Sequence, residues 1–430
     1  MSDLKVNFAG IKSPNPFWLA SAPPTNSGAQ IMRAFDEGWG GAVWKTLGQP
    51  ITNVSSRFGA TQYRGTRIVG FNNIELITDR PLEVNLKEIT EVKKRYPNNA
   101  VIASIMVETR EEWKDLIKRC VDAGADGLEL NFGCPHGMCE RGMGSAVGQE
   151  PRVCGDITAW AVEDSTVPVI VKLTPNVGNI NLPARAAAAS GARALSLINT
   201  IKSIIGVDLE RGVLLPRVHE LGTNGGYCGP AVKPIALFMV GQLGKDPEVN
   251  IPLSGIGGID SWRDALEFIF LGASTVQVCT AVMHRGYRIV RDMLDGTERF
   301  MKDHGYETID QMVGKALPSY TDWGHLDLNY EVVAEIDSEL CIGCQLCVTA
   351  CRDGAHDCIS TVEGTRVPVV DVEQCIGCNL CHHVCPVPEC LEMVEVDNGK
   401  EPMSWKAYEA ALARGENPPH PGKSTHQTHF

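Results

Sequence analysis

Eight cysteines carry the clearest chemistry in this chain. They form two runs of C-x2-C-x2-C-x3-C: Cys341, Cys344, Cys347 and Cys351, then Cys375, Cys378, Cys381 and Cys385, with Pro386 following the second. Three thiolates two residues apart can wrap a cubane corner by corner, and in two-cluster proteins the fourth thiolate comes from the other run. The spacing therefore predicts two [4Fe–4S] clusters. One would sit on Cys341, Cys344, Cys347 and Cys385, the other on Cys375, Cys378, Cys381 and Cys351. A pair of zinc sites is the rival reading, but zinc favours C-x2-C pairs over a run of three plus a fourth. Cys358 and Cys390 are left over and read as buried core thiols. Between Asp337 and Met393 nine acidic residues stand against two basic ones. That is a solvated acidic surface or, on a functional reading, a docking face for a basic electron-transfer partner.

A second set of reactive types lies upstream, and its meaning depends on the elements that hold it. Apolar, β-branched runs bounded by turn residues predict eight strands: Phe17–Ala22, Gly41–Thr46, Val101–Met106, Gly127–Phe132, Val169–Thr174, Ala194–Asn199, Pro252–Gly258 and Thr275–Ala281. Most gaps hold a helical pattern, as in Glu111–Ala123, Leu182–Ser190, Pro234–Leu243 and Asp260–Leu271. Gly191, Gly244 and Gly272 stand where helix C-caps belong. Eight strands alternating with helices fit an α/β fold, a (β/α)8 TIM barrel. An open doubly wound sheet is the alternative, weakened because no G-x-G-x-x-G follows an early strand. Leu4–Pro16 reads as an N-terminal hairpin turning near Ala9-Gly10. The domains expected are a barrel over 1–330, a ferredoxin-like domain over 331–394 and a polar tail over 395–430.

Barrels of this kind place reactive groups at the C-terminal strand ends. Those ends carry Ser21, Lys45 with Thr46, Asn131 running into Cys134 and His136, Lys172, Asn199 with Thr200, Gly257 with Gly258, and Cys279 with Thr280. Asn73 and Glu75 lie in the long loop after strand two. Gly257 and Gly258 let a backbone approach a phosphate, and Thr280 adds a hydroxyl; a tight turn alone would also use glycines. Two lysines converging on one mouth suit an anionic reduced flavin, whereas a lone lysine would snorkel to solvent. Cys134, in a glycine-rich loop, can exchange a proton, or be an inert buried thiol. His136 can tune that thiol, although a loop histidine is commonly a surface residue. Three asparagines suit a ring with alternating N–H and C=O, such as a pyrimidine; one alone would be a turn or cap residue.

Composition bounds the classes. The chain has 430 residues, 43% hydrophobic and 21% charged, which excludes a disordered, collagenous or fibrous protein. A net charge of -13 argues against nucleic acid and anionic lipid as partners. The start, MSDLKVNFAG, lacks an apolar signal core, and no apolar run reaches membrane-spanning length. With 10 of 16 cysteines clustered between Cys341 and Cys390, a cytoplasmic metal-binding protein is expected rather than a disulfide scaffold.

From Leu4 to about residue 394 the chain resembles the FMN-and-ferredoxin subunit of bacterial NAD-dependent dihydropyrimidine dehydrogenase, and the C-terminal half of the single-chain eukaryotic enzyme. The resemblance is carried by LASAPPT at Leu19–Thr25, NIEL at Asn73–Leu76, NFGCPHGMCERGMG at Asn131–Gly144 and VKLTPNV at Val171–Val177. It continues through INT at Ile198–Thr200, GIGGID at Gly255–Asp260, QVCTA at Gln277–Ala281 and the cysteine runs. It implies an FMN barrel related to dihydroorotate dehydrogenase. FMN contacts would fall on Ser21, Lys45, Thr46, Lys172, Gly229, Gly257, Gly258, Cys279 and Thr280. Pyrimidine contacts would fall on Asn73, Asn131, Asn199 and Thr200, with Cys134 as general acid. Gly133 departs from the pattern, since related enzymes often have serine there.

The expected activity is reduction of the 5,6 double bond of uracil or thymine, in pyrimidine catabolism. Hydride would pass from reduced FMN to C6 and a proton from Cys134 to C5, with electrons arriving through the two clusters. NAD(H) would be oxidised on a partner flavoprotein subunit, and a homodimer within a heterotetramer is expected. Two alternatives stand beside this: a dihydroorotate dehydrogenase-like enzyme, and a non-catalytic iron–sulfur electron-transfer subunit.

Overall fold

A computed structural model describes residues 3–63, 66–354 and 356–422. The chain divides into two compact units, 1–319 and 320–430.

The first unit is a closed barrel of eight parallel strands: Phe17–Leu19, Gly41–Leu47, Ala100–Ile105, Gly127–Asn131, Val169–Lys172, Ala194–Leu197, Leu253–Ile256 and Ala273–Val278. The eighth pairs with the first, Val278 opposite Leu19, and closes the ring. Parallel strands covered on both faces read as continuous apolar runs, and nearly every strand residue is buried. The hairpin of Val6–Phe8 and Ile11–Ser13 turns through Ala9 and Gly10, both at positive φ, the geometry of a two-residue hairpin turn. Phe8 and Ile11 join Trp18, Val43, Ile102 and Ile170 in a separate apolar cluster, with the Phe8 ring edge-on to Trp18 at 5.4 Å.

The helices between strands are amphipathic, and several are capped in sequence. Arg110–Asp122 starts from a Thr109–Glu112 capping box and buries Trp113, Leu116, Ile117 and Cys120. Burying such side chains contributes about 1.5–3 kcal/mol each. Trp262–Phe270 starts from a Ser261–Asp264 box. Gly191 and Gly272 follow their helices at positive φ, as expected. Gly244 does not: it is the last residue of helix Lys233–Gly244, and Lys245 is the cap. A Cβ at Gly244 would lie 2.5 Å from the Leu271 carbonyl oxygen, so close packing requires glycine there.

The segment after the second barrel strand is not all loop: Asn73 ends a strand, while Glu75 lies in the loop that follows it. Phe58–Tyr63 and Thr66–Asn73 join Gly225–Cys228 and Ile201–Ser203 in a four-stranded antiparallel sheet. Asn73 pairs with Gly226. This sheet carries Asn73 at one strand end and Gly229 just beyond another.

The second unit pairs Val332–Ile336 with Leu391–Glu395, antiparallel, around short helices Leu346–Gly354 and Leu380–Val384. Cysteines make up much of its core, with Ala334, Ile359 and Leu391. The boundary expected at residue 330 falls at 319 instead, because residues 320–331 bond to the segment after the second cysteine run. Leu328 donates to the Met403 carbonyl, and Asn398 donates to the Asn329 carbonyl at 2.9 Å. The expected polar tail likewise holds a helix, Trp405–Ala413, whose Trp405 ring lies 6.3 Å from Trp323. Residues 423–430 of that tail lie outside the described residues. No described helix is long and apolar enough to cross a membrane.

Candidate active site and cluster cavities

One cavity opens at the C-terminal ends of the barrel strands, and every upstream residue singled out for chemistry lines it. Ser21, Lys45, Thr46, Lys172, Gly229, Gly257, Gly258, Cys279 and Thr280 share its wall with Asn73, Asn131, Cys134, Asn199 and Thr200. Its empty space is about 1200 Å³, open mouth included.

The polar wall is a connected network. Asn199 donates to the Asn131 side-chain oxygen at 2.9 Å, and Asn131 donates to Thr46 Oγ1 at 3.0 Å. Thr46 Oγ1 also meets Ser21 Oγ and Ser104 Oγ. Asn73 donates to the Gly226 carbonyl at 3.1 Å. Each amide nitrogen carries two hydrogens, so each of the three keeps a second N–H beyond these bonds.

Both lysines are buried and paired. Lys45 Nζ lies 2.9 Å from Glu75 Oε1, which Arg57 also approaches at 3.4 Å. Lys172 Nζ lies 3.6 Å from Glu129 Oε1, and Glu129 is wholly buried. Ser196 and Gln277 donate to the other Glu129 oxygen at 2.8 and 3.0 Å.

Cys134 is buried, and its thiol donates to the His136 carbonyl at 3.3 Å. Burial pushes the thiol up to about 11, so it holds its proton at neutral pH. Burial likewise pushes His136 down, and its Nε2 faces the Glu75 carbonyl at 3.1 Å. The surface placement considered for His136 does not occur, because this contact draws the ring inside. Thr280 donates to Cys228 Sγ at 3.2 Å, and burial raises the Cys228 thiol to about 11 and the Cys279 thiol further.

The site fits a phosphate-bearing flavin on two observations. Gly229, Gly257 and Gly258 all have positive φ, and a Cβ on Gly258 would stand 2.8 Å from the Lys233 nitrogen and 2.9 Å from the Gly229 carbonyl oxygen. Only bare backbone fits there, leaving peptide groups to meet an anion. Gln277 Oε1 and His136 Nδ1, both on lining residues, are buried without a hydrogen-bond partner, as expected where a polar ligand completes the wall.

In the second unit the cysteines ring two cavities. Cys341, Cys344, Cys347 and Cys385 line one, together with Cys390. Cys351, Cys375, Cys378 and Cys381 line the other, together with Cys358. Among the described residues no three His, Cys, Asp or Glu side chains converge as a single ion would require. Four thiols spread around a cavity suit a larger, polynuclear group.

A family model described as dihydroorotate dehydrogenase matches residues 3–301. The chain belongs to the dihydroorotate dehydrogenase family. This family member continues into a second match, a 4Fe-4S dicluster domain over residues 334–393. It is 44% identical over 396 residues to the NAD-dependent dihydropyrimidine dehydrogenase subunit PreA of Escherichia coli K12, covering 92% of this chain and 96% of that protein. It is 43% identical over 339 residues to the chloroplastic dihydropyrimidine dehydrogenase (NADP(+)) of Arabidopsis thaliana, covering 76% and 79%. The catalytic subunit of dihydroorotate dehydrogenase B (NAD(+)) from Pyrococcus abyssi is 38% identical over 319 residues, covering 73% and 99%. The chain is thus an oxidoreductase in which a dihydroorotate dehydrogenase-family barrel precedes an iron–sulfur domain.

The sequence reading missed two residues of this family member, Glu129 behind the wall and Gln277 in it, and it named Glu75 without its partner. Glu129 stands two residues before Asn131 in one strand, so the period of two places both on the same face. Gln277 faces inward by the same alternation in strand eight. Glu75 follows Asn73 at the same interval, but its partner Lys45 lies 30 positions upstream and no local pattern joins them.

Proposed function

We propose that this chain reduces the 5,6 double bond of uracil or thymine, as the pyrimidine-reducing subunit of an NAD-dependent dihydropyrimidine dehydrogenase. One observation carries the choice of substrate. The cavity wall presents three side-chain amides, Asn73, Asn131 and Asn199, each keeping a second N–H beyond its bond within the wall. Such amides suit the alternating N–H and C=O groups of a pyrimidine ring.

Ser21, Lys45, Thr46, Lys172, Gly229, Gly257, Gly258, Cys279 and Thr280 would hold FMN, which when bound and reduced supplies the hydride for ring carbon C6. Asn73, Asn131, Asn199 and Thr200 would orient the ring through its N–H and C=O groups. Cys134, protonated at neutral pH, would give its proton to C5. Cys341, Cys344, Cys347 and Cys385 would hold one [4Fe–4S] cluster, and Cys375, Cys378, Cys381 and Cys351 the other. The clusters would bring electrons from a partner flavoprotein subunit that oxidises NAD(H), in a homodimer within a heterotetramer. The relatives' names, which include "NAD-dependent" and "subunit", support such a partner.

The test is a turnover assay under anaerobic conditions with reduced methyl viologen as electron source. Dihydrouracil and dihydrothymine are the expected products. Faster consumption of orotate than of uracil would overturn the proposal.

A further inference from the structure

Each cysteine-lined cavity holds five thiols, one more than a [4Fe–4S] cluster takes. The fifth ones occupy equivalent places. The Cys358 carbonyl accepts from the Asp371 N–H at 2.7 Å, and the Asp371 carbonyl accepts from the Cys375 N–H. The Cys390 carbonyl accepts from the Asp337 N–H at 2.8 Å, and the Asp337 carbonyl accepts from the Cys341 N–H. Each fifth cysteine thus precedes a short strand edge that anchors the start of a cluster run.

Their sulfurs each approach two sulfurs of the proposed ligands, Cys390 those of Cys385 and Cys341, Cys358 those of Cys351 and Cys375. Cys390 Sγ points to the Asp337 carbonyl oxygen, at a long 3.9 Å. Cys358 Sγ lies 3.4 Å from Cys351 Sγ, and the Cys358 N–H also donates to that sulfur. Both side chains are buried in the same cavity wall. Two sulfurs therefore stand at one corner of the second cavity, where the proposed ligand set needs a single sulfur.

Building on that ligand set, we propose that Cys358 is a competent fourth ligand of the second cluster, able to take the iron corner assigned to Cys351. The exchange involves no redox change. The Cys358 thiol gives up its proton, its sulfur forms a bond to iron, and the Cys351–iron bond breaks with that sulfur taking a proton. The Cys358 sulfur need not take the place of the Cys351 sulfur: it has only to come within bonding distance of the same iron, and it stands 3.4 Å from the sulfur assigned to that iron. Motif reading misses this residue because it lies outside the C-x2-C-x2-C-x3-C run, seven positions beyond Cys351.

The test counts iron and acid-labile sulfide, and records the paramagnetic resonance of the dithionite-reduced full chain after oxygen-free purification. The unaltered chain should hold about eight irons, as two four-iron clusters require; a lower count there would defeat the ligand reading on which the inference rests. The Cys351→Ala variant should keep the same iron count and both reduced-cluster signals. The Cys351→Ala/Cys358→Ala double variant should lose one cluster or show a three-iron signal. Loss of the second cluster in Cys351→Ala alone, as complete as in the double variant, would overturn the inference. If Cys351→Ala is insoluble, the Mössbauer spectrum of ⁵⁷Fe-labelled Cys351→Ser decides. Four sulfur-ligated irons in the second cluster are expected, and one iron on the serine oxygen would overturn it.

Discussion

Gly133 lies directly against the side chain of Asn199. A Cβ at position 133 would stand 2.3 Å from Asn199 Cβ and 2.4 Å from its Nδ2. Real side chains do not approach so closely, so the absence of a side chain at 133 sets where Asn199 stands. Asn199 in turn donates to Asn131. The departure from serine seen in the sequence is therefore tied to the local shape of the ring-binding wall.

Gly133→Ser should push Asn199 out of this wall and break its bond to Asn131. Losing one ring-orienting hydrogen bond of about 1 kcal/mol corresponds to a KM for uracil raised about five- to tenfold. Flavin content should be unchanged, and steady-state kinetics with flavin quantitation checks both.

Cys134→Ala should retain flavin but lose turnover by about 10²–10⁴-fold, the usual contribution of a positioned proton donor. Cys134→Ser, which keeps a hydroxyl donor, should fall between. Turnover of Cys134→Ala within a few-fold of the parent would remove Cys134 from the chemistry.

The pH dependence has a definite sign. Burial holds the Cys134 thiol up near about 11, and the protonated form is the one that donates. Pyrimidine reduction should be flat in kcat/KM from neutral pH and fall as pH rises toward that value. Dihydropyrimidine oxidation needs the thiolate and should rise over the same interval. In Cys134→Ser the alkaline limb should vanish. A limb centred at the ordinary thiol value of about 8.5 in the unaltered enzyme would contradict this assignment.

Glu129 is wholly buried beside Lys172, with Ser196 and Gln277 bound to it. Glu129→Ala removes the countercharge of a buried lysine and two hydrogen bonds together. Breaking such a pair costs about 3–5 kcal/mol, and urea unfolding followed by tryptophan fluorescence should show that loss. A cost below about 1 kcal/mol would mean that Lys172 finds another partner.

The barrel was legible because parallel strands covered on both faces read as apolar runs, and all eight fall where those runs lie. The sheet built from Thr66–Asn73 and Gly225–Cys228 was not. Its strands pair across more than 150 positions, and Gly70 interrupts the run that would have marked it. Strand-end position was enough to single out Lys45 and Lys172. It said nothing of Glu75 and Glu129, since a carboxylate in an apolar stretch shows its role only through its partner. The helix Trp405–Ala413 sat in a stretch whose Pro and Gly content read as a tail, and its packing against Trp323 is non-local.

The most direct measurement is a single turnover of this chain alone. The protein is purified without oxygen, reduced chemically and mixed with uracil while the flavin band near about 450 nm is followed as a read-out of cofactor redox state. Rapid return of the oxidised band with dihydrouracil formed is the expected result, and would place pyrimidine reduction on this subunit. Return of the band with orotate but not with uracil would contradict it.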